Sequence, residues 1–124
     1  MGKKEYFFDT YAFFELIDGN PRYLSLEKDA FIATTSLNLL ELYYGLSLRS
    51  TIENANIAFN ELKKYCVQFS PDIMPEVGLF KLANKEKRLS YIDCLGYIIS
   101  LKLGIPFLTG DKEFKGMANV EFVK

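Results

Sequence analysis

There is no histidine among the 124 residues of the sequence. Without imidazole, Ser-His-Asp and Cys-His catalysis, a His-Glu-x-x-His zinc site and paired-histidine acid–base chemistry are all excluded. Any catalysis must therefore run on carboxylates, lysines, hydroxyls or a metal held by oxygen. Cysteine is scarce: Cys66 and Cys94 fall in different expected elements and form no C-x-x-C pair. Both read as small buried hydrophobes in a reduced compartment. An excess of one charge is also lacking, since 15 basic and 16 acidic residues leave a formal net charge of −1. That balance gives no general electrostatic grip on a polyanion, although a local basic patch stays open. No apolar run approaches the roughly 18 residues of a membrane span. The Lys3-Lys4 start is followed by Glu5 and a short aromatic run, which is not a signal-peptide pattern. Tyr6 stands where N-myristoylation of Met1-Gly2 would prefer serine or threonine. The expectation is a soluble cytoplasmic protein with no membrane association.

The composition that remains is 49% hydrophobic, 15% aromatic and 25% charged, that of an ordinary globular domain. No repeat, linker or low-complexity stretch divides it, so residues 1–124 are expected to form a single domain. Glu5-Tyr-Phe-Phe8 reads as a buried strand ending at Asp9-Thr10. A helix over Tyr11 to Ile17 follows, closed by Asp18-Gly19-Asn20-Pro21. Pro21 to Asp29 reads as a short helix or turn, and Phe31 to Thr34 as a second strand. Helices are expected over Ser36 to Leu48, Thr51 to Tyr65 and Pro75 to Asn84, with a third strand at Cys66 to Phe69. Ser90 opens a helix that is apolar nearly all round and stops at Gly104 and Pro106. Phe107 to Thr109 and Val120 to Val123 complete the strands. Alternating strands and helices imply an α/β fold with a mostly parallel sheet and helices on both faces.

Sites in open parallel sheets form at the carboxyl ends of the strands. Asp9 directly follows the first strand, and Asp111 lies two residues past Thr109. The helices opening at Ser36 and Ser90 begin at the same edge, which brings Glu41 and Asp93 there. Glu41 lies in line with Leu37, Tyr44 and Leu48 at spacings of 4, 3 and 4, so its carboxylate interrupts an apolar stripe. A buried carboxylate needs a cation, a proton or a partner. Each acid has a plainer reading too. Asp9 is placed to cap a helix, Ser90-Tyr-Ile-Asp93 matches a capping box, Asp111 sits in a turn, and Arg49 or a lysine across the core is a candidate partner for Glu41. Four acids from distant positions at one edge nevertheless share a single explanation, a hard divalent cation held by oxygen.

The same residues carry a resemblance. Phe7-Phe8-Asp9-Thr10, Leu39-Leu40-Glu41-Leu42-Tyr43-Tyr44-Gly45, Leu89-Ser90-Tyr91-Ile92-Asp93, and Gly104 to Asp111 with Phe114 stand in the order and spacing of PIN-domain nucleases. The chain most closely resembles the small toxin subunits called VapC, over nearly its whole length. That resemblance implies a three-layer α/β/α sandwich. It implies that Asp9, Glu41, Asp93 and Asp111 are an acidic quartet binding Mg²⁺ or Mn²⁺, with Thr10 and Thr109 as supporting hydroxyls. It implies a metal-dependent endoribonuclease leaving 5′-phosphate and 3′-hydroxyl ends, neutralised by a small antitoxin and assembled as a homodimer. Cys94-Leu95-Gly96-Tyr97 departs from the small, alanine-rich residues usual after the third acid, and Glu113 is a candidate additional acid.

Lys112, Lys115 and Arg88, the last within the Lys85/Lys87/Arg88 run, are the candidate phosphate contacts, and Tyr11 is a candidate stacking residue. Tyr43, Tyr44 and the helix from Thr51 are candidates for a dimer face. The alternatives are a PIN nuclease of RNA processing or DNA cleavage without an antitoxin, and a non-catalytic α/β binding module whose acids are caps. A phosphoacceptor receiver domain fits poorly, because Asp9-Thr10 supplies one acid where it needs a pair.

Overall fold

The computed structural model describes residues 3–124; the reading of Met1 and Gly2 lies outside them. The chain runs β1 (Lys4–Phe8), α1 (Thr10–Ile17), α2 (Pro21–Lys28), β2 (Ala30–Ala33), α3 (Ser36–Arg49) and α4 (Ile52–Leu62). It continues through α5 (Met74–Ala83), α6 (Tyr91–Leu103), β3 (Phe107–Thr109) and β4 (Val120–Phe122). The four strands form one parallel sheet in the order β2-β1-β3-β4. Side chains alternate across it, as strand geometry requires. Tyr6, Phe8 and Leu108 join a core with Ala12 and Phe13 of α1 and Leu39, Leu42 and Leu46 of α3. Phe7 and Phe107 point the other way, into a core with Val77 of α5 and Leu95, Ile98 and Ile99 of α6. Two cores on opposite faces of one sheet make the three-layer α/β/α sandwich expected from the sequence.

Local signals account for the helix ends that matter. Asp9 caps α1 by accepting the Thr10 N–H, Thr35 caps α3 by accepting the Asn38 N–H, and Ser90 with Asp93 forms a capping box on α6. Gly104 closes α6 in the left-handed conformation at φ 69°.

The strand expected at Cys66 to Phe69 does not form. Only a single bridge joins Thr34 to Cys66, with the Val67 N–H donating to the Thr34 carbonyl at 2.8 Å. The reason lies in the register: Cys66 pairs parallel with Thr34, so the residues after it run past the end of β2, where Thr35 already caps α3. Ser70 and Pro71 then turn the chain into a short 3₁₀ turn over Pro71–Ile73. Helix α4 stops three residues early, ending in a 3₁₀ turn over Lys63–Tyr65. Cys66 and Cys94 are both free. No helix among the described residues is long and apolar enough to cross a membrane.

Candidate active site

The register of the sheet sets the centre of the site. Phe8 pairs with Leu108, and the Asp9 N–H donates to the Leu108 carbonyl at 3.1 Å, so Asp9 and Thr109 leave the sheet side by side. The Thr109 hydroxyl donates to Asp9 Oδ2 at 2.8 Å and accepts the Asp111 N–H at 3.1 Å. The other Asp9 oxygen accepts the Thr10 N–H at 2.8 Å. One residue on, the Thr10 hydroxyl donates to Glu41 Oε1 at 2.7 Å. Asp93 Oδ2 accepts the Ser90 N–H at 2.8 Å, and Asp111 Oδ1 accepts the Glu113 N–H at 2.9 Å.

The four acids expected at one edge do line one cleft. It measures about 350 Å³ and is bordered by Asp9, Thr10, Tyr11, Phe14, Glu41, Tyr44, Gly45, Asp93 and Asp111. Arg49 does not neutralise Glu41; its guanidinium pairs instead with Asp18 at 3.1 Å. The only other ion pair among the described residues is Lys102 with Glu76. Asp93 and Asp111 do cap helix or turn backbone, as their plainer readings have it, yet both still face the cleft.

Electrostatics mark the cleft as costly. Asp9 is almost wholly buried, and its carboxyl is pushed up to about 8. Burial is the main cause and the charge of Asp93 the second; the hydrogen bonds from Thr109 and Thr10 oppose the rise, and Glu41 adds to it. Burial also raises Glu41, with Asp93 adding and the Thr10 hydroxyl opposing. Asp93 is raised by burial and by Asp111, while Ser90 and Lys81 hold it down.

A pH dependence follows. In the unfolded chain Asp9 loses its proton near 3.8, whereas in the fold it keeps it to about 8. Across that window the unfolded state binds fewer protons, so stability falls as pH rises. In EDTA the melting temperature of the wild type is expected to drop between about pH 5 and pH 8.5, and Asp9→Asn to remove most of that slope. Equal slopes in the two proteins would contradict the burial of an ionisable Asp9.

Among the described residues, no three acidic or thiol side chains stand close enough to form a finished metal cage. The donor set nonetheless fits a hard divalent cation. It consists of four carboxylates around one cleft, none of them ion-paired among the described residues, and three raised by burial and by one another.

The PIN-domain family model matches residues 6–120. The chain belongs to the PIN-domain family. Comparison with curated proteins yields no sequence match. Solved structures share the PIN fold over almost the full chain. A chain of VapBC2 from Rickettsia felis, bound to a DNA fragment from its promoter, superposes with a TM-score of 0.71 at 23% identity, covering 96% of this chain and 97% of that one. A toxin–antitoxin complex from Klebsiella pneumoniae gives 0.69 at 19% identity, covering 93% and 94%. VapBC-1 from nontypeable Haemophilus influenzae gives 0.68 at 16% identity, covering 97% of each chain.

Other expected residues of this PIN domain lie elsewhere. Lys112, Lys115 and Arg88 do not line the cleft. The Lys115 ammonium sits 5.6 Å over the Phe122 ring, and the Arg88 backbone N–H donates to Glu113 Oε1 at 3.3 Å. Glu113 is thereby turned onto the Arg88 backbone rather than into the cleft. The stripe Leu37-Glu41-Tyr44-Leu48 is not the core face of α3, since Tyr44 is 66% and Leu48 70% exposed. Leu39, Leu42 and Leu46 form that face instead, which leaves Glu41 half-buried at the cleft.

Two residues escaped the sequence reading. Lys81 donates to the Leu89 carbonyl at 2.6 Å and acts electrostatically on Asp93. Asn38 is fully buried and hydrogen-bonded to Thr10. Its spacing was a usable signal: Asn38 precedes Glu41 by three residues, so both lie on one side of α3.

Proposed function

We propose that the protein is a metal-dependent endoribonuclease of the VapC type, the toxin of a toxin–antitoxin pair. The observation that carries this reading is one cleft lined by four unpaired carboxylates in a PIN fold. Asp9, Asp93 and Asp111 would hold Mg²⁺ or Mn²⁺, with Glu41 as a fourth oxygen donor. Bound there, such a cation supplies Lewis-acid chemistry, acidifying water and offsetting charge that builds on the scissile phosphate.

The chain's own residues supply position. Thr109 ties Asp9 to the backbone of Asp111 through one hydroxyl, so the acids after β1 and β3 move as a unit. Thr10 holds one oxygen of Glu41, and the capping box on α6 fixes the Asp93 carboxylate. Tyr11 and Tyr44 border the cleft and offer ring faces to unpaired bases. The oxygen of one water adds to phosphorus as the P–O3′ bond breaks, and the proton that this water gives up is balanced by the one the departing 3′ oxygen takes from solvent. The products are a 5′-phosphate and a 3′-hydroxyl.

The likeness of the fold to chains of VapBC complexes supports a small antitoxin as partner and the cytoplasm as location. A second copy of the chain would pack on exposed apolar side chains of α3 and α4 outside the cleft, among them Leu40, Leu48, Ile52 and Ile57.

End analysis of cleaved RNA tests the chemistry. Incubation of labelled RNA, and DNA of matching sequence, with the purified protein and Mg²⁺ is expected to cut RNA and leave 5′-phosphate ends. Cyclic 2′,3′-phosphate ends would overturn the mechanism, because they require attack by the ribose rather than by water. Expression in a bacterial host separates the biological roles. A toxin arrests growth and its Asp93→Asn variant does not, whereas harmless expression of a cleaving enzyme assigns it to RNA processing.

A further inference from the structure

A buried chain of hydrogen bonds runs from the start of α3 to Glu41. The Thr35 hydroxyl donates to Asn38 Oδ1 at 2.6 Å, the Asn38 amide donates to Thr10 Oγ1 at 3.1 Å, and the Thr10 hydroxyl donates to Glu41 Oε1 at 2.7 Å. Thr35 and Asn38 are both fully buried. Every buried side-chain nitrogen and oxygen among the described residues has a partner, so the network is closed.

We infer that Asn38 is a positioning residue for the metal-binding acid Glu41, acting by fixing which way the Thr10 hydroxyl points. The inference rests on the nuclease reading given above. A threonine hydroxyl has one proton and here has two close polar neighbours. Were the Asn38 amide reversed, its oxygen would face Thr10 and compete with Glu41 for that proton. One of the two contacts to Thr10 would then bring oxygens together with no hydrogen between them. With the nitrogen facing Thr10, each link holds one proton and all of them run toward the carboxylate. Thr35 secures this orientation by donating to the amide oxygen, and its own oxygen accepts the Asn38 backbone N–H at 3.2 Å. Glu41 is thus held by Oε1, and Oε2 takes no protein hydrogen bond among the described residues.

The relay also joins two elements that the site needs in register. Thr10 is the first residue of α1, directly after Asp9, whereas Asn38 and Glu41 stand on α3. Asn38 therefore couples the position of Glu41 to that of Asp9 without touching substrate or metal.

A double-mutant cycle read by Mn²⁺ calorimetry tests this, with thermal denaturation to confirm folding. Asn38→Leu, close to isosteric and unable to donate, is expected to weaken Mn²⁺ binding on the order of 10-fold, the scale for partners that orient a ligand. Thr10→Val is expected to do the same, and Thr10→Ser to restore wild-type affinity. In the Thr10→Val background, Asn38→Leu should cost nothing further. Should Asn38→Leu fail to fold, Asn38→Ala carries the same cycle. Unchanged Mn²⁺ affinity in the Asn38 variant, or full additivity with Thr10→Val, overturns the inference while leaving the nuclease reading intact. Failure of the wild type to bind Mn²⁺ overturns both.

Discussion

Asp93→Asn is expected to lower RNA cleavage by about 1,000-fold or more while shifting stability by no more than about 1 kcal/mol. The two halves of that expectation have separate causes. Asp93 is tied to Ser90 by two hydrogen bonds, and the oxygen of an asparagine can still accept the Ser90 N–H. The fold keeps most of its cap. What disappears is one negative charge in the cleft: the charge of Asp93 helps to raise Asp9 and Glu41, and Asp93 is itself raised by Asp111. On the proposed reading the cation loses a ligand, which raises the barrier by several kcal/mol, each 1.36 kcal/mol being about tenfold in rate. Single-turnover cleavage beside a thermal melt reads both quantities. A variant that cuts as well as the wild type would make Asp93 a cap and nothing more.

Gly110→Ala is expected to have the largest effect on stability, a loss of about 3 kcal/mol and a melting temperature lower by about 10 °C. Gly110 lies between Thr109 and Asp111 and is buried. A Cβ there would collide with the Val123 carbonyl oxygen and stand 2.5 Å from the Tyr11 ring. The carbonyl cannot readily yield, because it accepts the Tyr23 hydroxyl at 2.6 Å and the Val123 N–H is bonded to Thr109. Relief must come from the Thr109–Asp111 segment or from Tyr11, both part of the cleft. Cleavage by the folded fraction should therefore fall as well. A melting curve superposable on that of the wild type would contradict the close approach of β4 to this turn.

The site was legible because topology does the gathering. In a parallel sheet, acids just after β1 and β3 must share an edge, and helices that cross back begin there. Asp9, Glu41, Asp93 and Asp111 needed only their order relative to the strands to be placed. The core was legible where strands were short and apolar, as in Tyr6-Phe7-Phe8 and Phe107-Leu108. Cys66 to Phe69 misled because a short apolar run signals burial, not pairing, and the partner edge at Thr34 is a single residue long. The apolar stripe through Glu41 misled for a related reason. Two stripes share α3, and spacing cannot say which one meets the sheet and which lines the cleft. Asn38 carries no motif, since its role depends on Thr10, 28 positions away and brought near only by the fold. The basic candidates stand outside the cleft lining: the Lys115 ammonium covers the Phe122 ring, and the Arg88 backbone N–H is bonded to Glu113.

These four carboxylates are proposed to form one cation-dependent cutting centre. Its most direct test is cleavage of a mixed pool of single-stranded and structured RNA by the purified protein. The reaction would be run with Mn²⁺ or with EDTA, beside Asp93→Asn prepared identically. Cutting is expected in Mn²⁺ and is expected to be lost both in EDTA and in the variant. Cutting that persists in EDTA, or that the variant retains in full, would contradict the proposal.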